Sequence, residues 1–172
     1  MADLPAASLT WLAEHHGVIT TTALRTHGAG RTTVERLLAN GTLQRRAKGV
    51  FVVRTAPPTL EQRCAVISAA HPGCIVTGPT AGVMRGLRRM PRDVPLHVAV
   101  RHGFHHPAEP GVTWRQTTAI RACDRTTRAD GITVATPALL AFDLAADLRA
   151  LDAAPRPGRA RGALGRRARY PP

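Results

Sequence analysis

The chain has 172 residues with 44% hydrophobic and only 3% aromatic content, room for one or two domains around an aliphatic, alanine-rich core. No run approaches the ~18 apolar residues of a membrane span, and the N-terminus lacks a signal peptide's charged start and apolar stretch, so a cytoplasmic protein without membrane contact is expected. The formal net charge of +13 implies an anionic partner; it divides into +4 over residues 1–54, +3 over 55–152 and +6 over 153–172.

In chain order, Leu9, Leu12 and Ala13 recur at i, i+3 and i+4 after Ser8, which predicts a capped first helix. His15 and His16 close it, since imidazolium suits a helix C-terminus, with Gly17 just beyond. Thr20 can cap a second helix anchored inward by Leu24. The turn His27-Gly28-Ala29-Gly30 leads to RTTVERLLAN, where Val34, Leu37 and Leu38 share one face and Gly41 fits the left-handed C′ position. Gly28 or Gly30 supplies the same freedom in the turn. TLQRRAKGVFVV then reads as a two-stranded hairpin with a cationic tip around Lys48 and Gly49. Helix, turn, helix and hairpin make a winged helix-turn-helix, whose second helix enters the major groove.

The face of that helix opposite its aliphatic stripe carries Thr32, Arg36 and Ala39, with Thr33 and Asn40 at its edge. Hydroxyls, a guanidinium and an amide suit phosphates and base edges, since Arg pairs with guanine and Asn with adenine. Arg45, Arg46 and Lys48 on the hairpin are expected to rest on phosphates. From Arg31 to Lys48 five cations oppose one anion, Glu35. The expected DNA-binding residues are therefore Arg31, Thr32, Thr33, Arg36, Asn40, Arg45, Arg46 and Lys48. A solvated basic face on an ordinary helical subdomain is the plainer alternative.

Residues 55–58 read as a linker dividing a reader at 1–54 from a second unit at 59–152. Thr59 with Gln62 makes a capping box opening a helix with Ala65, Val66, Ala69 and Ala70 among its apolar positions. Cys74-Ile75-Val76 precedes Gly78-Pro79-Thr80 and a small helix to Leu87. Strands are expected at Leu96 to Val100, Val112 to Thr117 and Ile132 to Ala135. Thr136 and Pro137 then open a last helix containing Leu139, Leu140, Phe142, Asp143 and Leu144. The predicted class is α+β: a winged helix-turn-helix, a small mixed α/β domain and a disordered basic tail.

Several features that look chemical have plainer readings. Gly73 to Thr80 has the glycine spacing of a phosphate loop, but Pro79 stands where Lys belongs. His97 lies on a strand-like run, and His102, His105 and His106 fall in a Gly/Pro-bounded loop without ligand spacing, so a solvated loop is expected rather than a metal site. Asp143 and Asp147 at i, i+4 read as capping or surface ion-pairing residues, with Arg149 as a partner. Trp11 and Trp114 read as core residues rather than stacking platforms. Cys64, Cys74 and Cys123 form neither a disulfide framework nor a zinc site and read as small buried thiols. No cofactor, no metal and no catalysis are expected.

The order of these short motifs resembles the actinobacterial branch of the AbiEi family, antitoxins of type IV toxin–antitoxin systems. The pieces are His16-Gly17-Val18-Ile19-Thr20, the Leu43-to-Phe51 wing, Thr80-Ala81-Gly82 and Leu96-His97-Val98. Ile132-Thr133-Val134 with Thr136-Pro137 and Phe142-Asp143-Leu144-Ala145 complete the set, which spans about residues 9–147. The resemblance implies a regulator that binds double-stranded operator DNA, an inverted repeat read by a homodimer, and represses its own operon. It also implies an antitoxin that counteracts a nucleotidyltransferase-like toxin without needing direct contact. DNA contact carries over onto Thr32, Thr33, Arg36, Asn40, Arg45, Arg46 and Lys48. Many relatives continue into a C-terminal domain resembling Vsr-type endonucleases, and this chain departs from them there.

From Ala153 to Pro172, 18 of 20 residues are Arg, Gly, Ala or Pro, all encoded by GC-rich codons. One expectation is a frame shift near Leu151, leaving a truncated, non-functional relic that binds nucleic acid by charge alone. The other is a genuine disordered basic arm that adds phosphate contacts. An RNA-binding module is a third functional class, since charge does not separate duplex DNA from RNA; scarce aromatics argue against single-strand stacking.

Overall fold

A computed structural model of the chain describes residues 4–91, 95–104, 109–118 and 120–153, with side chains described as far as residue 146. His105, His106, the side chains of Asp147 and Arg149, and the expected tail beyond Ala153 fall outside the described residues.

The first 54 residues give α1 (Ala6–Glu14), β1 (Val18–Thr20), α2 (Thr21–Thr26), α3 (Arg31–Ala39), β2 (Leu43–Ala47) and β3 (Val50–Val53). The strands form an antiparallel sheet in the order β1-β3-β2, with Ile19 opposite Phe51 and Leu43 opposite Val53. Alternation along each strand sends successive side chains to opposite faces. Ile19, Leu43, Phe51 and Val53 enter a helical core with Leu4, Leu12, Leu24 and Leu37. Burying side chains such as Ile19, Leu24 and Leu37 contributes roughly 1.5–3 kcal/mol each.

Val18, Val50 and Val52 point the other way and join a second core. All four residues of β3 are therefore buried, and the VFVV run shows no polar alternation because each of its faces has a hydrophobic partner.

That second core is built on α4 (Leu60–Ala70), β4 (Ile75–Val76), α5 (Gly78–Met84), β5 (Leu96–Arg101), β6 (Val112–Thr117), β7 (Arg125–Thr127), β8 (Thr133–Ala135) and α6 (Pro137–Ala153). A single 3-10 turn at Ala122–Asp124 precedes β7. The sheet runs β6-β5-β4-β8-β7, with β5/β6 and β4/β8 parallel and β4/β5 and β7/β8 antiparallel. The helix α4 touches all three strands of the first sheet as well as β4 of the second. Cys64, Ala65 and Ile67 are buried on it and Leu60, Val66, Ala69 and Ala70 are partly buried against the same core, so a helix packed between two sheets is apolar on more than one side. The class is α+β, with a winged helix-turn-helix at its N-terminus.

Several local expectations change. Ser8 is no cap: it lies inside α1 after Pro5, fully buried, with its hydroxyl 3.2 Å from His27 Nδ1 at the end of α2. Ala13 is exposed. Thr59 does cap α4, its hydroxyl accepting from the Gln62 amide at 3.1 Å, but the Gln62 side chain reaches elsewhere and donates to the His16 carbonyl at 3.1 Å. The helix α5 stops at Met84, short of Leu87. The strand β7 has no apolar signature because all three of its residues are exposed at the sheet edge.

Asp143 is not on the surface. It is buried beneath α6, accepts from the Thr77 hydroxyl, and pairs with Arg115 of β6 at 2.7 Å. Cys64 and Cys74 are buried, and burial pushes both thiols up to about 12, whereas Cys123 is exposed. Trp11 packs against the helical core and Trp114 against the second one.

A polar seam reinforces the junction between the two cores. His16, in the left-handed region at φ 55°, places Nε2 3.0 Å from the Asp130 carboxylate beyond β7, and Arg128 lies 2.9 Å from the same oxygen. Burial pushes the Asp130 carboxyl up, but hydrogen bonds from His16 and the Ile132 amide, together with Arg128, outweigh it and hold the group below the usual carboxylate range. Next to His16, Gly17 has φ 75°, and a side chain there would meet Ala56 Cβ at 2.5 Å. Glycine is required at that close approach.

Candidate nucleic-acid interface

The candidate surface begins with how α2 and α3 are set. Thr20 accepts a hydrogen bond from the Ala23 amide at 3.1 Å, starting α2 where the sequence places it. Gly28 takes the left-handed turn at φ 84°, while Gly30 is the extended N-cap of α3. Gly41, at φ 72°, ends α3 by donating to the Leu38 carbonyl at 3.1 Å. Leu37 is buried and Val34 and Leu38 are partly buried against the helical core. Thr32, Arg36, Ala39 and Asn40 are consequently exposed, and Thr33 is half-buried.

Not every polar group on α3 is equally available. The Arg31 guanidinium binds Glu35 one turn on at 2.8 Å, a hydrogen bond and charge that raise its pKa further. The Asn40 side-chain oxygen accepts from the Thr42 amide at 3.0 Å, which fixes the turn into β2. Thr32 and Arg36 lie on the exposed stripe between them.

The wing is held against the helices. The Gly49 carbonyl accepts both from the Thr21 amide at 2.8 Å and from the Thr21 hydroxyl at 3.3 Å, tying the turn between β2 and β3 to the start of α2. Arg45 lies over the Phe51 ring at 5.6 Å, a cation–π contact that orients its guanidinium. Lys48 is exposed in the turn itself.

The three wing cations do not share a face. The ladder shifts register between Arg45 and Ala47, so Arg45 pairs with Phe51 on the helical side and Ala47 pairs with Val50 on the other. Arg46 lines a cavity with Arg63 and Glu109 behind the sheet.

Two further cations belong to this region and carried no motif in the sequence. Arg54 follows β3, and its guanidinium lies 3.4 Å from where a Gly41 side chain would start, across the end of α3. Arg25 is exposed in the last turn of α2. Both are isolated arginines in the sequence, and it is the tertiary packing that lays Arg54 across the end of α3.

Among the described residues no group of three or more His, Cys, Asp or Glu is placed to hold a metal ion, and no helix is long and apolar enough to cross a membrane. His97 sits on β5 against Gly78 and is half-buried; His102 is exposed in the turn after β5.

Residues 7–54 match the family model described as transcriptional regulator, AbiEi antitoxin. The matched segment runs from α1 to the residue after β3 and so contains the helices and the wing. It agrees with the resemblance carried by the sequence motifs. The chain is also similar to the crystal structure of the RV2827C protein from Mycobacterium tuberculosis, with 20% identity and a TM-score of 0.46. That similarity covers 80% of this chain, which spans 58% of the other chain's length. No protein of curated function matches the chain.

Proposed function

We propose, taking residues 7–54 as the transcriptional-regulator domain of an AbiEi antitoxin, that this protein is a non-catalytic cytoplasmic repressor of its own operon. In this reading residues 1–54 bind double-stranded operator DNA and residues 59–152 carry the antitoxin activity against a nucleotidyltransferase-like toxin. The observation that supports it most is the exposed stripe of α3, Thr32 and Arg36, beside a wing whose Lys48 turn is fastened to α2. Arg36 reads a base edge, Thr32 and Thr33 reach base edges or phosphates, and Arg45 and Lys48 sit on phosphates. Arg31 and Asn40 flank the contact, and Arg54 adds a phosphate anchor at the end of α3. A homodimer would present two such surfaces to an inverted repeat.

The test is binding to the gene's own upstream DNA against a scrambled duplex of equal length, across a salt series. A preference of ~10³ or more that persists at physiological salt is the expected result. Equal binding that collapses with salt would sink the regulator reading in favour of a relic held by charge alone.

A further inference from the structure

Behind the wing, on the side away from α3, the structure holds a cavity of about 330 Å³ between β2, α4 and the edge of the second sheet. Its size lies within the range of small-molecule sites, roughly 300–1,000 Å³. The half-buried Val66 and Val112 and the exposed Pro58 and Pro110 line it with apolar surface, over the buried Ile67 and Leu96. Among the described residues its charged lining side chains are Arg46, Arg63 and Glu109, two cations to one anion.

The two guanidinia come from different parts of the chain, one from β2 and one from α4. Arg63 is already oriented, since Nη2 donates to the Gly111 carbonyl at 2.8 Å. A guanidinium held in this way binds an oxyanion without first losing its own freedom. Inorganic phosphate would satisfy the arginines but leave the apolar lining wet, whereas a hydrocarbon body would cover it. We propose that this cavity binds a small monocarboxylate with a short hydrocarbon body, its carboxylate on Arg46 and Arg63 and its body on Val66, Val112, Pro58 and Pro110. The site stands independently of whether the protein binds DNA.

The experiment is calorimetric titration of the full chain with hexanoate, alongside hexanol and inorganic phosphate, repeated on Arg46→Met and Glu109→Gln. Arg46 is exposed, so its replacement leaves the fold intact. Saturable binding of hexanoate is expected, weakened about tenfold by Arg46→Met and tightened about twofold by Glu109→Gln, which removes the competing carboxylate. Hexanol and phosphate should both bind more weakly than hexanoate. No saturable hexanoate binding, an affinity that ignores Arg46→Met, or phosphate binding as tightly as hexanoate would each overturn the proposal.

Discussion

The two faces of the three-stranded sheet carry nearly the same chemistry and do different work. One face, with Ile19, Phe51 and Val53, closes a helical bundle assembled from neighbours within the first 54 residues. The other, with Val18, Val50 and Val52, joins a core whose other buried members come from Cys64 onward. The first supports the exposed face of α3. The second welds that surface to the rest of the chain, so the position of the wing depends on residues that never approach the α3 face.

The strongest way to break this comparison is to charge the welded face. Val52→Asp places a carboxylate among Val18, Val50 and the α4 side chains and should cost about 4 kcal/mol or more. The chain's two tryptophans report on the two cores separately, Trp11 on the helical one and Trp114 on the second. In single-tryptophan proteins made by Trp11→Phe or Trp114→Phe, the denaturant transitions should coincide, as a shared strand makes one cooperative unit. Two separated midpoints would show that the weld is weak.

Asp143→Ala probes the second core alone. It leaves the Thr77 hydroxyl and the Arg115 guanidinium without their shared acceptor and should cost about 3 kcal/mol, read from the denaturant midpoint. Specific DNA affinity per folded molecule should not change.

On the proposed DNA-binding face the effects should move binding rather than folding. Arg36→Ala is expected to weaken operator binding by about 1–3 kcal/mol and to relax sequence preference. Lys48→Ala should weaken all duplexes alike and reduce the salt slope by about one contact. Unchanged operator preference in Arg36→Ala would mean that α3 is not the reading element.

The smallest effect belongs to the polar seam. The Asp130 carboxyl is held below its ordinary range in the folded protein. Its contribution is therefore complete above the unfolded pKa and is lost as pH falls through the lower, folded value. Between about pH 5 and pH 3 the unmodified protein should lose more stability than Asp130→Asn, by under about 1 kcal/mol. Equal losses, measured by urea denaturation at each pH, would remove Asp130 from the account of the seam.

Much of the first region was legible because its signals are short-range. Thr20, Gly41 and the Val34-Leu37-Leu38 stripe each act within a few residues, and the helices they predict are the ones that form. The strand Val112 to Thr117 was legible for the same reason. Ser8 misled because a serine before an aliphatic stripe is a good cap, yet here its hydroxyl meets His27 in another helix. Asp143 misled because its partners, Thr77 and Arg115, are 66 and 28 residues away. The edge strand β7 was invisible because an exposed three-residue segment leaves no hydrophobic pattern.

By itself the amino-acid sequence determined where α2 and α3 begin and end and which face of α3 turns outward. Caps, glycine turns and helical periodicity operate over one or two turns of chain, so no distant residue is needed to set them. Only the tertiary structure decided that Arg46 lines a cavity with Arg63, that Arg54 lies across the end of α3, and that β3 serves two cores. Those outcomes depend on strand register and on contacts between residues far apart in the chain, where a shift of one position moves a side chain to the opposite face.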